Sequence, residues 1–399
     1  MKTELITSRN EISRVCKEWD ALTDLDQRYA FFRSSRWYQA WIDHVRPDAE
    51  PYIVVVRDET TGEMVGLAPL CKLTYRDHWF PMTAISTGGR EVVSGDYLDY
   101  LAVPQRRSEV ISTILQFLSN ARSRWDLLVV GEVFAGGDLH RAVQSFAAAR
   151  HFSIRVQEER PCPYVELPAT FDEYLATFSH KRRHELRRQM RVLLEKNGAQ
   201  IAVLTDPQDV GANLDTLVSL HASRWRRANQ SGNMDRPGFV GFLRTICAAP
   251  PTGSSVRLYV MTQQGNALAA QLVFTSGPSA LLYSMGWNSE STLANLSPGF
   301  VLTACTIRDS IERGARYFDF LRGDEAYKSH FTKSATHTVT LLIGQSMLAK
   351  AYLRALDIKD SLKHRFPRWW RGLDQIDRQS GAGPSREPSG ASAGSATAG

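Results

Sequence analysis

The segment from Tyr317 to Lys328 reads Tyr-Phe-Asp-Phe-Leu-Arg-Gly-Asp-Glu-Ala-Tyr-Lys, and five ionisable groups (Asp319, Arg322, Asp324, Glu325, Lys328) fall within ten of its residues. Strand alternation over 316–321 puts Tyr317, Asp319 and Leu321 on one face and Phe318 and Phe320 on the other. A carboxylate in so apolar a strand needs either a partner or a raised pKa. Asp319 therefore reads as a structural ion pair, with Arg322 or a more distant arginine, or as a base at the carboxyl end of a strand, where open α/β sheets place ligands.

Shortly before it, Ser297-Pro298-Gly299-Phe300 reads as a helix start. Serine is a favoured N-cap, and proline is tolerated at the first helical position. Phe300, Ala304, Ile307 and Ile311 form one apolar stripe, and Gly314 closes the helix. The free N–H groups of such a start suit an anion. A third feature is the run from Ser179 to Arg191. Leu186, Met190, Leu193 and Leu194 mark a core-facing stripe, while Lys181, Arg183 and Arg187 belong to a cationic remainder that reads as a solvated face or as a surface for an anionic substrate. His180 and His184 have the spacing of a zinc pair but lack the Glu-x-x-His context, so no metal is expected. A fourth is His221-Ala222-Ser223-Arg224-Trp225 on a helix, with His221 and Trp225 as i,i+4 neighbours; packing and substrate contact both fit it.

The elements that must position these groups come in two runs. Over 11–45 apolar residues recur at helical spacing. Strands follow at 52–57 and 64–74, then a short strand at 96–103, a helix at 110–122, a strand at 125–131 and a helix at 139–150. The second run starts near Pro161-Cys162-Pro163. Helices at 171–178 and 180–196 precede a strand at 199–205 and helices at 215–229 and 237–249. A meander over 256–262, 267–274 and 280–287 leads to the helix at 298–313, a strand at 316–321, a short helix near 326–331 and a last strand at 337–343. The similar order suggests two diverged copies of one α/β unit. Residues 346–378 read as a basic helical extension with Trp369-Trp370, and the Gly/Ala/Ser/Pro tail 379–399 as disordered.

The chain has 399 residues, 43% hydrophobic and 23% charged, which suits two domains and excludes disorder throughout. A net charge of +6 is below the density of a dedicated nucleic-acid binder, so no DNA partner is expected. Neither an apolar run of membrane-spanning length nor a signal-peptide core is present, which points to the cytoplasm. Five widely spaced cysteines without a CxxC indicate neither a disulfide framework nor zinc.

Taken together, these segments resemble the CelD-like branch of the GNAT N-acyltransferases, a group associated with bacterial cellulose and exopolysaccharide biosynthesis and related to FemAB-type peptidyltransferases. Phe31-Phe32-x-Ser34-x-x-Trp37-x-x-x-Trp41 resembles its N-terminal aromatic helix, and Asp96-Tyr97-Leu98-Asp99-Tyr100 the start of one of its strands. The basic helix 179–191 is similar to the S-x-K-x-R helix of Fem-type enzymes, and Ser297-Pro298-Gly299 to the cofactor helix. The most specific match is Phe318-Asp319-Phe320-Leu321-Arg322-Gly323-Asp324-Glu325-x-Tyr327-Lys328-x-x-Phe331. The resemblance implies an α/β (α+β) fold of two tandem GNAT-like domains, 1–160 and 161–345, each a mixed, mostly antiparallel sheet flanked by helices. It implies transfer of an acyl group from acyl-CoA, acetyl-CoA first, to the amine of a small molecule or glycan precursor. The donor would lie against Trp287, Ser297, Pro298, Gly299, Phe300 and Arg322. Asp319 and then Glu325 would serve as base, with Lys328 stabilising negative charge, and Lys181, Arg183, Arg187, His221, Arg224, Trp225 and Tyr327 would face the substrate. The Arg/Gln-x-x-Gly-x-Gly/Ala signature of single-domain GNATs is replaced by Asn295-Leu296-Ser297-Pro298-Gly299. Two alternatives accompany this reading. One is a Fem-type transferase using aminoacyl-tRNA. The other is a non-catalytic module bound to a glycan precursor or, through the basic C-terminal stretch, to the periphery of the inner membrane. Acceptor identity, acyl length and oligomeric state are not specified by the sequence.

Overall fold

The computed structural model describes residues 1–77, 80–120, 125–157, 159–227 and 232–365. The first half runs β1 (Lys2–Ile6), α1 (Arg9–Thr23), α2 (Ala30–Arg33), α3 (Ser35–His44), β2 (Glu50–Pro51), β3 (Ile53–Arg57), β4 (Met64–Ala68), β5 (Leu70–Asp77), β6 (Phe80–Thr87), β7 (Leu101–Ala102), α4 (Arg107–Asn120), β8 (Leu127–Phe134), α5 (Asp138–Ala149) and β9 (Ser153–Val156). The second runs β10 (Arg160–Glu166), α6 (Phe171–Ala176), α7 (His180–Met190), β11 (Gln200–Leu204), α8 (Pro207–Arg227), α9 (Phe239–Ala248), β12 (Ser254–Gln263), β13 (Asn266–Ser276), β14 (Ser279–Trp287), α10 (Pro298–Glu312), β15 (Tyr317–Asp319), β16 (Ala335–Gly344) and α11 (Met347–Arg365). Trp369-Trp370 and the tail 379–399 lie outside the described residues. Among the described residues no helix is long and apolar enough to cross a membrane.

One sheet spans both halves in the order β11-β12-β13-β14-β15-β10-β16-β8-β6-β5-β2, with β9 also on β16. Its middle is nearly palindromic. In each half the last strand of a meander pairs in parallel with the strand after a helical crossover: β6 with β8 around α4, and β14 with β15 around α10. The strands next to these join the halves: β16, from the end of the chain, pairs with β8 of the first half, and β10 pairs with both β16 and β15. A smaller sheet, β1-β3-β4-β7, forms where the chain turns at Pro69 between β4 and β5. The architecture is mixed α/β, with mostly antiparallel pairing and flanking helices.

Several expectations need correction. Residues 96–100 do not form a strand; only Leu101–Ala102 pairs. Tyr97 has φ 57°, and the Asp99 side chain accepts from the Tyr100 N–H at 2.8 Å, a local turn that withdraws the backbone from a ladder. β1, β2, β6, β9 and β10 lie outside the strands expected from the sequence, and the 180–196 helix changes to a π-helix at Arg191–Lys196. Leu186 and Leu193 both lie in the core of the second half, on the expected stripe.

The aromatic segment of the first half forms the seam between the halves. Phe31 stacks on Phe274 at 4.0 Å with planes 7° apart, and Trp37 meets Phe242 edge-on at 4.8 Å. Ser34 starts α3 by accepting from Trp37 N–H, and the Trp37 indole donates to Gly89 O at 2.9 Å. Such buried ring pairs add to burial itself. Phe31→Ala should destabilise the protein by about 3–5 kcal/mol. Urea unfolding followed by tryptophan fluorescence would measure this, and a change near zero would show that the seam does not hold the halves together.

Candidate functional site

Strands β14 and β15 pair for three residues, Ser279–Leu281 with Tyr317–Asp319. Beyond Leu281 and Asp319 they separate, and a cavity of about 140 Å³ opens, lined from both halves. The first half contributes Ser94 and Asp96. The second contributes His221 from α8, Tyr283 and Met285 from β14, and Arg322, Glu325, Tyr327 and Lys328 from the loop after β15.

That loop is folded by its own polar groups. Leu321 has φ 57°, and Asp319 Oδ1 accepts the Leu321 N–H at 2.8 Å, which fixes the turn. Asp319 Oδ2 accepts from the Tyr97 hydroxyl at 2.7 Å. Burial holds the Asp319 carboxyl up at about 7. Asp319 thus lies beneath the cavity, with both oxygens engaged inside the protein. It does not pair with its near neighbour Arg322, because the turn at Leu321 sends that side chain to the other half. There Arg322 meets Asp96 at 3.4 Å and Glu132, while its own N–H donates to Asp96 Oδ2 at 2.9 Å. Asp96 and Glu132 are 1% and 2% exposed, so these charges are sustained by each other. Burial raises the Asp96 pKa against the lowering effect of Arg322. Among the described residues, Asp96 Oδ1 has no hydrogen-bond donor, only the Arg322 ion pair at 3.4 Å.

Lys328 is 3% exposed and wraps the same loop. Its Nζ reaches the carbonyls of Leu321 at 3.1 Å and Arg322 at 3.0 Å, and pairs with Glu325 at 2.8 Å. Gly323 sits at φ 132°, a conformation that L side chains rarely adopt, and a Cβ there would press on the end of the Glu325 side chain at 2.3 Å.

The start of α10 lies on the adjacent face of the second half. Ser297 is exposed in the left-handed region at φ 54°, and its side chain makes no capping bond, contrary to the expected N-cap; its carbonyl instead accepts from Phe300 and Val301 N–H. Pro298 and Gly299 are buried, and a Cβ on Gly299 would meet Met285 Cε at 3.2 Å and Trp287 Cδ1 at 3.4 Å. Phe300 stacks on Phe331 at 4.4 Å and carries the Arg182 guanidinium 4.4 Å above its ring.

The structure therefore gathers Arg322, Glu325, Tyr327, Lys328 and His221 around one cavity and sets Trp287 and Ser297–Phe300 together beside it. Lys181 and Arg187 are exposed on α7, and Arg187 pairs with Asp172 at 2.8 Å; Arg183 is half-buried on the same helix. None of the three lines the cavity. The side chains of Arg224 and Trp225 lie outside the described residues. The sequence reading missed Asp96 and Arg182 as site residues. The signal for Asp96 was an acid in an apolar run, Tyr97-Leu98, like that for Asp319. Arg182 was hidden among seven other basic or histidine neighbours in the run 180–191.

The ionisation of Asp319 gives a stability signature. Its folded pKa lies above the ordinary aspartate value of 3.8, so the folded state binds the proton more tightly. Stability from this group is present below the unfolded pKa and is lost as pH rises through the folded one. The stability difference between wild type and Asp319→Asn should therefore shift by on the order of 4 kcal/mol in the variant's favour between pH 4 and 8. Urea melts across that range would show it; a flat difference would mean that Asp319 is charged throughout.

Comparison with known proteins follows the same geometry. Residues 180–329 match the family model described as acetyltransferase (GNAT) domain. A search of curated proteins gives no significant match. Among solved structures, FemX is 12% identical, with 86% of this chain and 97% of that one covered and a TM-score of 0.58. L-PGS from Bacillus licheniformis is 11% identical over 88% of this chain and 95% of that one, with a TM-score of 0.51. A conserved protein of unknown function from Bacteroides thetaiotaomicron is 10% identical over 86% and 100%, with a TM-score of 0.52. At such identities the likeness is one of fold. The second half of this chain, across residues 180–329, thus carries a domain of the GNAT acetyltransferase type.

Proposed function

We propose that the chain is an N-acyltransferase that takes an acyl group from acyl-CoA at the second half and delivers it to an amine held in the cavity between the halves. The observation that carries this reading is the separation of β14 from β15 directly beside the charged cavity. Past Leu281, the edge of β14 that faced β15 has no strand partner among the described residues, so its backbone groups are available to an extended amide-bearing arm. The start of α10, with Arg182 above Phe300, suits the donor's phosphates. The close fit of Gly299 against Met285 and Trp287 supports a backbone-lined approach there.

In the reaction, the amine nitrogen bonds to the thioester carbonyl carbon, the carbon–sulfur bond breaks to release the CoA thiol, and the nitrogen loses a proton. Asp96 is the group for that proton. It lines the cavity, burial raises its pKa, and Oδ1 has only the 3.4 Å ion pair with Arg322 among the described residues. Asp319 is a positioning residue, setting Tyr97 and the Leu321 turn. Lys328 holds the loop carbonyls and brings positive charge to the cavity wall, while Glu325 orients Lys328. His221 and Tyr327 face the acceptor. The CelD-like assignment and a polysaccharide or cell-envelope acceptor, met in the cytoplasm or at the periphery of the inner membrane, belong to this proposal. So do the domain limits 1–160 and 161–345 and the outward basic face of α7 as a surface for anionic substrates.

Calorimetric titration with acetyl-CoA, longer acyl-CoAs and free CoA should show saturable binding. Thiol release should then depend on an added amine. Asp96→Asn is expected to lower turnover by about 10²–10⁴-fold while CoA affinity stays nearly unchanged. No CoA binding, together with activity that requires aminoacyl-tRNA, would replace this donor with the Fem-type one. Full activity in Asp96→Asn would remove Asp96 from the role.

A further inference from the structure

The helix α11 takes no part in the cavity between the halves, and it carries two apolar stripes where a surface helix ordinarily has one. One stripe faces the sheet. Ala349 and Leu353 are buried, Leu353 lies over Gly344 of β16, and the Tyr352 ring meets Tyr75 of β5 edge-on at 6.0 Å. The other stripe faces solvent. Met347 is 80% exposed, Ile358 61% and Leu362 41%, and Ala351 and Ala355 between them are exposed as well. At about 3.6 residues per turn these five fall within an arc of about 80° and along roughly 22 Å of helix. They form one continuous band rather than scattered surface residues, and an apolar band left in water marks a surface of interaction.

The charges of α11 are sorted in the same way. Its two acids, Asp357 and Asp360, both pair with Arg155 of β9, which draws them toward the sheet. Arg354 and Arg365 stand exposed along one border of the outward band and Lys359 along the other, and neither acid falls in the sector between these borders. The sequence after the helix continues as Phe366-Pro367-Arg368-Trp369-Trp370-Arg371, again aromatic and basic without an acid. We infer that the outward face of α11 docks on the surface of a bilayer that contains anionic phospholipid. Met347, Ile358 and Leu362 enter the boundary between headgroups and acyl chains, and the bordering cations meet the lipid phosphates. A second copy of the chain fits this face less well. A symmetric contact would set band against band and bring the same cations together, while the acids that could answer them are held by Arg155. The inference goes beyond the acyl-transfer reading and does not depend on it, because lipid binding needs neither donor nor acceptor.

The test is co-sedimentation of the full chain with vesicles of phosphatidylcholine alone and of equal parts phosphatidylcholine and phosphatidylglycerol, at low and high salt. Binding to the mixed vesicles should saturate, weaken with salt, and exceed binding to phosphatidylcholine by about tenfold or more. Ile358→Ser combined with Leu362→Ser should lower it about tenfold or more, with an unchanged melting temperature because both side chains are already exposed. Arg354→Gln should lower it about fivefold. Equal binding to both vesicle types, binding to neither, or binding that either set of substitutions leaves unaffected would each overturn the proposal. So would self-association in sedimentation velocity that the double substitution abolishes, which would assign the band to a second copy.

Discussion

A single arginine ties the candidate site to the fold. Arg322 leaves the second half and places its guanidinium between Asp96 and Glu132 of the first, all three largely withdrawn from water. Taking such charges out of water costs several kcal/mol per ion and is offset only by good mutual geometry. The loop after β15 must therefore adopt a shape that delivers Arg322 to those carboxylates. Each unusual feature of the loop serves that delivery. The left-handed Leu321 is held by Asp319, Gly323 lies where a Cβ would collide with Glu325, and Lys328 gathers the loop carbonyls. The cavity is what remains when these constraints are met. It exists only when the halves are docked, because Asp96 comes from one and Arg322 and Lys328 from the other.

The docking is secured at two further levels. Pairing of β16 with β8 and β9 runs the backbone ladder through the junction, so separating the halves would break strand pairing as well as side-chain contacts. The aromatic seam of Phe31, Trp37, Phe242 and Phe274 fills the space above it, and the Tyr283 hydroxyl donates to Val93 O at 2.6 Å. Interfaces within a chain are commonly small and mobile. This one combines continuous sheet, packed rings and buried charge, which keeps the Asp96 to Arg322 register fixed to the scale of a hydrogen bond.

Local pattern made much of this legible. The meander β12–β14, the helix from Pro298 and the charged run after β15 follow from alternation, turn residues and helical spacing. Contacts that depend on distant pairing did not show. Nothing near 335–344 in the sequence says that this last strand pairs with the first half. Asp319 and Arg322, three residues apart, suggested a local pair, but a left-handed turn at Leu321 separates them, and leucine carries no sequence signal for that conformation. Asp96–Tyr100 has strand composition, yet Asp99 captures the backbone N–H that a ladder would need. The aromatic helix was legible as an element, but its role in joining the halves required knowing that Phe274 lies opposite.

The near-palindromic sheet also explains why the two halves differ chemically. Each has a parallel pair that separates after three bridged positions, and each breaks regular backbone just beyond at a non-glycine residue with positive φ, Glu132 at 58° and Leu321 at 57°. In the first half the separation is filled. The Thr87 hydroxyl spans it toward Val129 O and Gly131 N–H, and the Arg90 side chain lies so close to Gly131 that a Cβ there would stand 2.4 Å from Arg90 Nε. In the second half, Gly286 lets α8 press onto β14, a Cβ there standing 2.3 Å from His221 N, and the space between the strands stays open to the cavity. An extended arm that pairs with exposed strand edge would therefore find room beside β14 and not beside β6. One backbone plan, filled at the wedge in one copy and open in the other, thus leaves an unpaired strand edge beside a charged cavity in the second half, among the described residues.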